Sequence, residues 1–305
     1  MIGRGANIWQ VCGTFAAVRP PDVVESVDTS RSSFDNVASP RPVRIYLWKP
    51  LVQAPDGLTR LILLSHGTGA SGRDMAWLAE PLAQAGFLVA AVDHHGNNWV
   101  DGYAAPGFVF VWERPADLRH ALNLIERDRN VDWVGAAGFS AGGYTAAALV
   151  GVRLDPGLVR LFTEGKLPDP VIPEYPDAFE SVRRVTAPDT IDDLVNSASG
   201  DQSDDRVQAA FLICPGDGGI SSEDSLRAVT RPVEVRWGDA DVINPPEQTA
   251  LRYLQLIDGA HGRSLGGHVE HHHLFPDNSE GADTRTLAGA EAVAFLAHAS
   301  GLDQA

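Results

Sequence analysis

The sequence is short of cysteine, of basic charge and of long apolar runs. Two cysteines in 305 residues, Cys12 and Cys214, cannot make the disulfide framework of a small secreted scaffold, and two free thiols in a reducing compartment are expected. Lys and Arg number 24 against 40 Asp and Glu, a formal net charge of −16. Phosphate backbones and anionic bilayers both call for a basic face, so neither is an expected partner. No apolar run reaches the roughly 18 residues that a membrane-spanning helix requires. Met1 to Asn7 lack the apolar stretch of a secretory leader, and a cytoplasmic location is the expectation.

An apolar fraction of 44% with 21% charged residues is enough for a sizeable core and excludes a mainly disordered chain. Residues 1–40, rich in Arg, Pro, Ser and Asp, are expected to be an irregular lead-in. Val43 to Trp48 alternates and predicts a half-buried strand. The continuous apolar runs Leu61–Leu64, Phe87–Val92 and Ala209–Cys214, with the shorter Val131–Ala137 and Val233–Trp237, predict strands of the sheet interior. Helical spacing falls between them, near residues 74–85, 112–127, 141–150, 246–256 and 288–297. Alternation of strand and helix predicts an α/β domain over residues 41–305, with a mostly parallel sheet covered on both faces. The span 152–207, broken by six prolines, fits an insertion that acts as a lid.

Gly138-Phe139-Ser140-Ala141-Gly142 fits G-x-S-x-G and falls between a predicted strand and a predicted helix. That context predicts a tight turn with Ser140 at its apex as a nucleophile and the helix N-terminus aimed at developing negative charge. Ser65-His66-Gly67-Thr68-Gly69 follows the first buried strand. The N–H groups of Thr68 and Ala141 are the expected oxyanion donors, and the His66 ring is expected to hold the loop by a hydrogen bond.

A serine nucleophile needs a base, and the base needs an orienting acid. The order serine, acid, histidine points to Asp241, past the strand ending at Trp237, with Asp239 and Asp217 as alternatives. The base lies in Gly267-His268-Val269-Glu270-His271-His272-His273, where spacing leaves His268, His271, His272 and His273 open, with His261 shortly before them. The same cluster with Glu270 also admits a zinc site. Trp99, Tyr103, Phe108 and Phe110, with Trp112, are candidates to line a substrate pocket, joined by Tyr175 and Phe179 from the insertion.

Taken together, Leu63–Gly69, Trp77–Ala83, Ala91–Gly96, Arg114–Leu118 and Arg41–Pro50 resemble the α/β-hydrolase superfamily. More narrowly, they resemble the branch called predicted dienelactone hydrolases, which is similar to platelet-activating-factor acetylhydrolases and cutinase-like polyester hydrolases. The resemblance implies Ser140 as nucleophile, Asp241 as acid and His271 as base, with Thr68 and Ala141 as oxyanion donors. It implies hydrolysis of small or lipid-like carboxylic esters without a cofactor. Dienelactone hydrolases proper carry a cysteine nucleophile where this sequence has Ser140. Thioester or amide hydrolysis, or a hydrolase fold reused for binding, are the alternatives.

Overall fold

The computed structural model describes residues 19–304, which places Cys12 outside the described residues. Ten strands follow in chain order: β1 Asp22–Ser32, β2 Pro40–Trp48, β3 Arg60–Ser65, β4 Leu88–Asp93, β5 Asn97–Asn98, β6 Gly102–Tyr103, β7 Trp133–Phe139, β8 Val207–Ile213, β9 Val233–Trp237 and β10 His261–Ser264. Eight of them form one sheet in the order β1-β2-β4-β3-β7-β8-β9-β10, while β5 and β6 pair as a small separate ribbon. Pairing is antiparallel at β1–β2 and β2–β4 and parallel from β4 across to β10.

The apolar runs account for the middle of this sheet. Leu61 to Leu64 and Val89 to Val92 have no measurable exposure, because helices cover both faces. The helices are α1 Ala76–Gln84, α2 Ala105–Val109, α3 Arg114–Asp128, α4 Ala141–Leu149, α5 Pro156–Thr163, α6 Ala178–Val185, α7 Ile191–Ser199, α8 Glu223–Ala228, α9 Ala250–Leu256 and α10 Ala282–Ala299. One face packs against α3, α4, α8 and α9, through Leu118, Leu122, Ala147, Leu226 and Tyr253. The other packs against α1 and α10, through Leu78, Leu82, Ala292 and Leu296. Truncating one of these central leucines to alanine costs about 2–5 kcal/mol, because the tight packing cannot close the void.

Two parts of the sheet differ from the sequence-based expectation. The stretch expected to be an irregular lead-in holds β1, paired with β2 from Asp22 to Asp28 and again at Ser32. Its mixture of acids, serines and valines hid it: as an edge strand it leaves Val23 and Val27 about half exposed and buries little. The polar β10, His261-Gly262-Arg263-Ser264, carries no hydrophobic pattern and is recruited by parallel pairing with β9.

The segment between α4 and β8 forms α5, α6 and α7. These helices do not extend the sheet. They pack on Trp112, Tyr144 and Ala148 through Val159, Val195 and Ala198, and on Ala105 and Phe108 through Ala178 and Val182. Among the described residues, no helix is long and apolar enough to cross a membrane.

Candidate active site

At the end of β7 the chain turns into α4 through Ser140, whose backbone has φ 57° and ψ −123°. A side chain in this left-handed region is strained, and such strain persists only where the surroundings impose it. Here they do. A Cβ at Gly138 would lie 2.1 Å from Gly142 O, and one at Gly142 would lie 2.1 Å from Ser65 O, so only glycine admits this approach. The turn is held by Ser140 N–H donating to Ile213 O at 2.9 Å and by Gly143 N–H donating to Ser140 O at 2.8 Å.

Of the histidines left open by spacing, the fold brings His271 to the serine. Its Nε2 lies 3.0 Å from Ser140 Oγ, and its Nδ1 donates to Asp241 Oδ2 at 2.7 Å. All three are buried, at 8% exposure for Ser140, 5% for His271 and 3% for Asp241. Asp241 is held in turn, with Oδ1 accepting the backbone N–H groups of Ile243 at 2.9 Å and Asn244 at 2.8 Å. Phe139 lies against the His271 ring at 4.7 Å and Phe275 meets it edge-on at 6.0 Å, which fixes the ring plane.

The alternatives are placed elsewhere. His268 is exposed, and His272 pairs with Glu270 at 3.2 Å. His273 Nδ1 accepts from the Glu270 backbone at 2.8 Å. Asp239 accepts from Trp237 Nε1 at 2.9 Å at the surface. Asp217 sits in left-handed backbone at φ 56°, and burial, opposed by Arg114, raises its carboxyl to about 6. The zinc reading of the histidine cluster finds no support in the geometry. Among the described residues the possible ligands that converge within 4.8 Å are Cys214, Asp241 and His271. Burial, with the Asp241 charge, pushes the Cys214 thiol well above its ordinary pKa.

The loop after β3 lies against the serine: a Cβ at Gly67 would come within 3.3 Å of Ser140 Cβ. Thr68 N–H donates to no group among the described residues, and Ala141 N–H, at the first position of α4, has no intrahelical partner. Both residues line a cavity of about 1250 Å³ that opens above Ser140. Asn97, which sequence reasoning passed over, ties this loop down by accepting from Gly69 N–H at 2.6 Å. A lone polar residue past a strand carries no pattern that would have marked it.

Trp99, Tyr103, Phe108, Phe110 and Trp112 all border the cavity. Trp99 and Tyr103 are about half exposed, whereas Phe108 and Trp112 also pack beneath the insertion at 3% and 6% exposure. Tyr103 hydroxyl donates to Gly69 O at 2.9 Å. Phe162, Phe179 and Val182 wall the cavity from α5 and α6. Tyr175 packs on Phe108 at 5.5 Å instead of bordering the cavity.

No family model and no curated protein matches the chain. Solved structures do match. A ferulic acid esterase from Streptomyces cinnamoneus aligns with a TM-score of 0.60 at 18% identity, over 94% of this chain and 92% of that one. An alpha-beta serine hydrolase homologue from Coxiella burnetii aligns at 0.53 and 14% identity, over 90% and 99%. The chain has the α/β-hydrolase fold. Within that fold it also aligns with a Mycobacterium tuberculosis puromycin-hydrolyzing peptidase, at a TM-score of 0.56 and 16% identity, over 95% of this chain and 41% of the peptidase. The hydrolase fold places the ends of β3, β7, β8 and β9 on one edge of the sheet, where the serine, the acid and the loop after β3 meet.

Proposed function

We propose that this protein is a serine hydrolase that cleaves carboxylic esters through an acyl-enzyme intermediate. The observation that carries the reading is the continuous chain from Ser140 Oγ through His271 to Asp241 at the floor of an apolar cavity. His271 Nε2 takes the proton as Ser140 Oγ attacks the ester carbonyl. Thr68 and Ala141 N–H groups hold the tetrahedral oxyanion. Asp241 keeps the proton of the resting imidazole on Nδ1 and stabilises the imidazolium. His271 then returns its proton to the departing alkoxide, so an alcohol leaves and Ser140 carries the acyl group. Water, activated by the same ring, releases the acid. Each proton has a named carrier, and the cycle as proposed calls on no cofactor.

The apolar walls suit a small or lipid-like ester, with the acyl chain between Trp112 and the insertion. On this reading α5 to α7 are a lid whose Phe162 and Phe179 cover the bound chain. Amide cleavage is the second reading, favoured by the structural likeness to a puromycin-hydrolyzing peptidase. Hydrolysis of p-nitrophenyl esters from acetate to long chain, beside the matching anilides, separates the two. Ser140→Ala run in parallel tests the serine mechanism. Ester turnover that survives in Ser140→Ala overturns it, and an inert wild type that resists a fluorophosphonate points to a binding protein.

A further inference from the structure

A second chain of the same three residue types lies behind the oxyanion loop. Ser65 closes β3, His94 follows β4, and Asp117 sits in the first turn of α3. Ser65 Oγ donates to His94 Nε2 at 2.8 Å, and His94 Nδ1 donates to Asp117 Oδ2 at 2.8 Å. Asp117 Oδ1 accepts from Arg31 Nη2 at 2.6 Å, and Arg31, on β1, is itself held by Asp28 at 2.7 Å. Ser65, His94 and Asp117 are each at most 2% exposed, and none of them borders the cavity. Arg114, equally buried, donates from Nη2 to the His66 carbonyl and lies 3.4 Å from Ser65 Oγ.

His66 meets this assembly at the His94 backbone. The backbone N–H of His94 donates into His66 Nε2 at 3.2 Å, so that nitrogen carries the lone pair. Burial, reinforced by Arg114, holds the ring well below the ordinary histidine pKa, so it is neutral and its proton is on Nδ1. Nδ1–H then donates to Gly67 O at 2.6 Å. Gly67 C=O and Thr68 N–H are opposite ends of one trans peptide, so a grip on the carbonyl sets the direction of the N–H. The other donor peptide is gripped in the same way, because Gly216 N–H donates to Ser140 O at 2.9 Å and so orients Ala141 N–H.

We propose that Arg31, Asp117, His94 and Arg114 form a positioning relay: Asp117 and Arg31 hold His94 so that its backbone N–H meets His66 Nε2, Arg114 holds the His66 carbonyl, and together they fix the His66 tautomer and, through it, the aim of the Thr68 N–H. The inference rests on the serine-hydrolase reading. None of the four residues touches substrate; they act through His66. The relay also ties an edge strand of the sheet, by way of Arg31, to the chemistry at Ser140.

The test compares wild type with His66→Ala, His66→Asn, Asp117→Asn and Arg31→Met. It reads kcat and KM on a p-nitrophenyl ester, the rate of fluorophosphonate labelling at Ser140, and the melting temperature. Removing an oxyanion donor outright costs roughly 100- to 1000-fold in kcat, so a misaimed one should cost about 10- to 100-fold in His66→Ala. KM should stay within about twofold, since the donor acts on the transition state. His66→Asn keeps an N–H near the Nδ1 position and should recover most of the loss. Asp117→Asn should lose about tenfold in kcat and in labelling rate at unchanged KM. If that variant fails to fold, Arg31→Met breaks the relay at its partly exposed end and should lose about threefold. Full kcat and labelling in Arg31→Met, or in a folded Asp117→Asn, with wild type labelled at Ser140, overturns the relay alone. A wild type that is not labelled overturns both the relay and the serine reading.

Discussion

Two Ser-His-Asp chains stand in this molecule with nearly the same geometry. In Ser140-His271-Asp241 the hydrogen bonds measure 3.0 and 2.7 Å, and in Ser65-His94-Asp117 they measure 2.8 Å each. Their surroundings differ. Ser140 sits in strained backbone at a helix N-terminus and faces a large cavity. Ser65 sits in regular strand, with no measurable exposure. Its hydroxyl proton is committed to His94, and no substrate carbonyl can approach it. Residue identity and hydrogen-bond lengths do not separate the two serines. Access, backbone presentation and neighbouring N–H donors do, and on the proposed function they make Ser140 the reactive one.

The largest effect that would break or sharpen this contrast comes from the serines. Ser140→Ala should lower kcat on p-nitrophenyl esters by roughly four to six orders of magnitude, whereas Ser65→Ala should keep it within about tenfold. Comparable losses in the two variants would show that the buried chain takes part in the chemistry.

The acids come next. Asp241→Asn should cost about 10⁴-fold in kcat by favouring the wrong imidazole tautomer, far beyond the loss expected for Asp117→Asn. Steady-state kinetics on both variants at one pH decides.

A smaller effect concerns stability against pH. Burial, with Arg114 adding and Asp117 opposing, lowers His94 to about 4. The native state therefore refuses a proton that the unfolded chain takes up below the ordinary value near 6.5. Stability is full above about pH 6.5 and falls as pH drops toward 4, with His94 alone contributing on the order of 3 kcal/mol. Asp117 behaves the same way lower down. Burial would raise it, but Arg31 and His94 outweigh burial and hold it at about 2, so its contribution is lost between about pH 3.8 and 2. Denaturant unfolding at pH 7.0, 5.5 and 4.5 should show the midpoint falling stepwise. A flat profile over this range would mean that His94 is not buried as a neutral ring.

The smallest effect lies over the cavity. Phe179→Ala should raise KM for long acyl esters about three- to tenfold and leave acetate unchanged, since the side chain meets only a chain long enough to reach α6. Equal changes for short and long esters, read from the same series, would remove α6 from the acyl path.

Much of this was legible in the sequence because its signals are local. Continuous apolar runs mark strands buried on two faces, and glycines two positions either side of Ser140 mark a turn that no side chain can enter. Asp241 could be favoured from its place after β9. The edge strand β1 and the polar strand β10 could not be read, because pairing with a neighbour, and not burial of a pattern, makes them strands. Spacing did not choose among the histidines of the last catalytic segment, for a related reason, and only the family resemblance pointed to His271. His271, His272 and His273 differ only in which way a single turn of 3₁₀ helix rotates them, and His268 lies before that turn.

The sequence by itself determined the α/β alternation, the turn at Ser140 and the loop that faces it. Each is decided within about ten residues, by side-chain size, periodicity and glycine. Tertiary structure alone decided that His271 meets Ser140 across 131 positions, and that Ser65, His94 and Asp117 close a second chain away from the cavity. Such meetings depend on which strands become neighbours and which ends they share, and no local pattern encodes that distance.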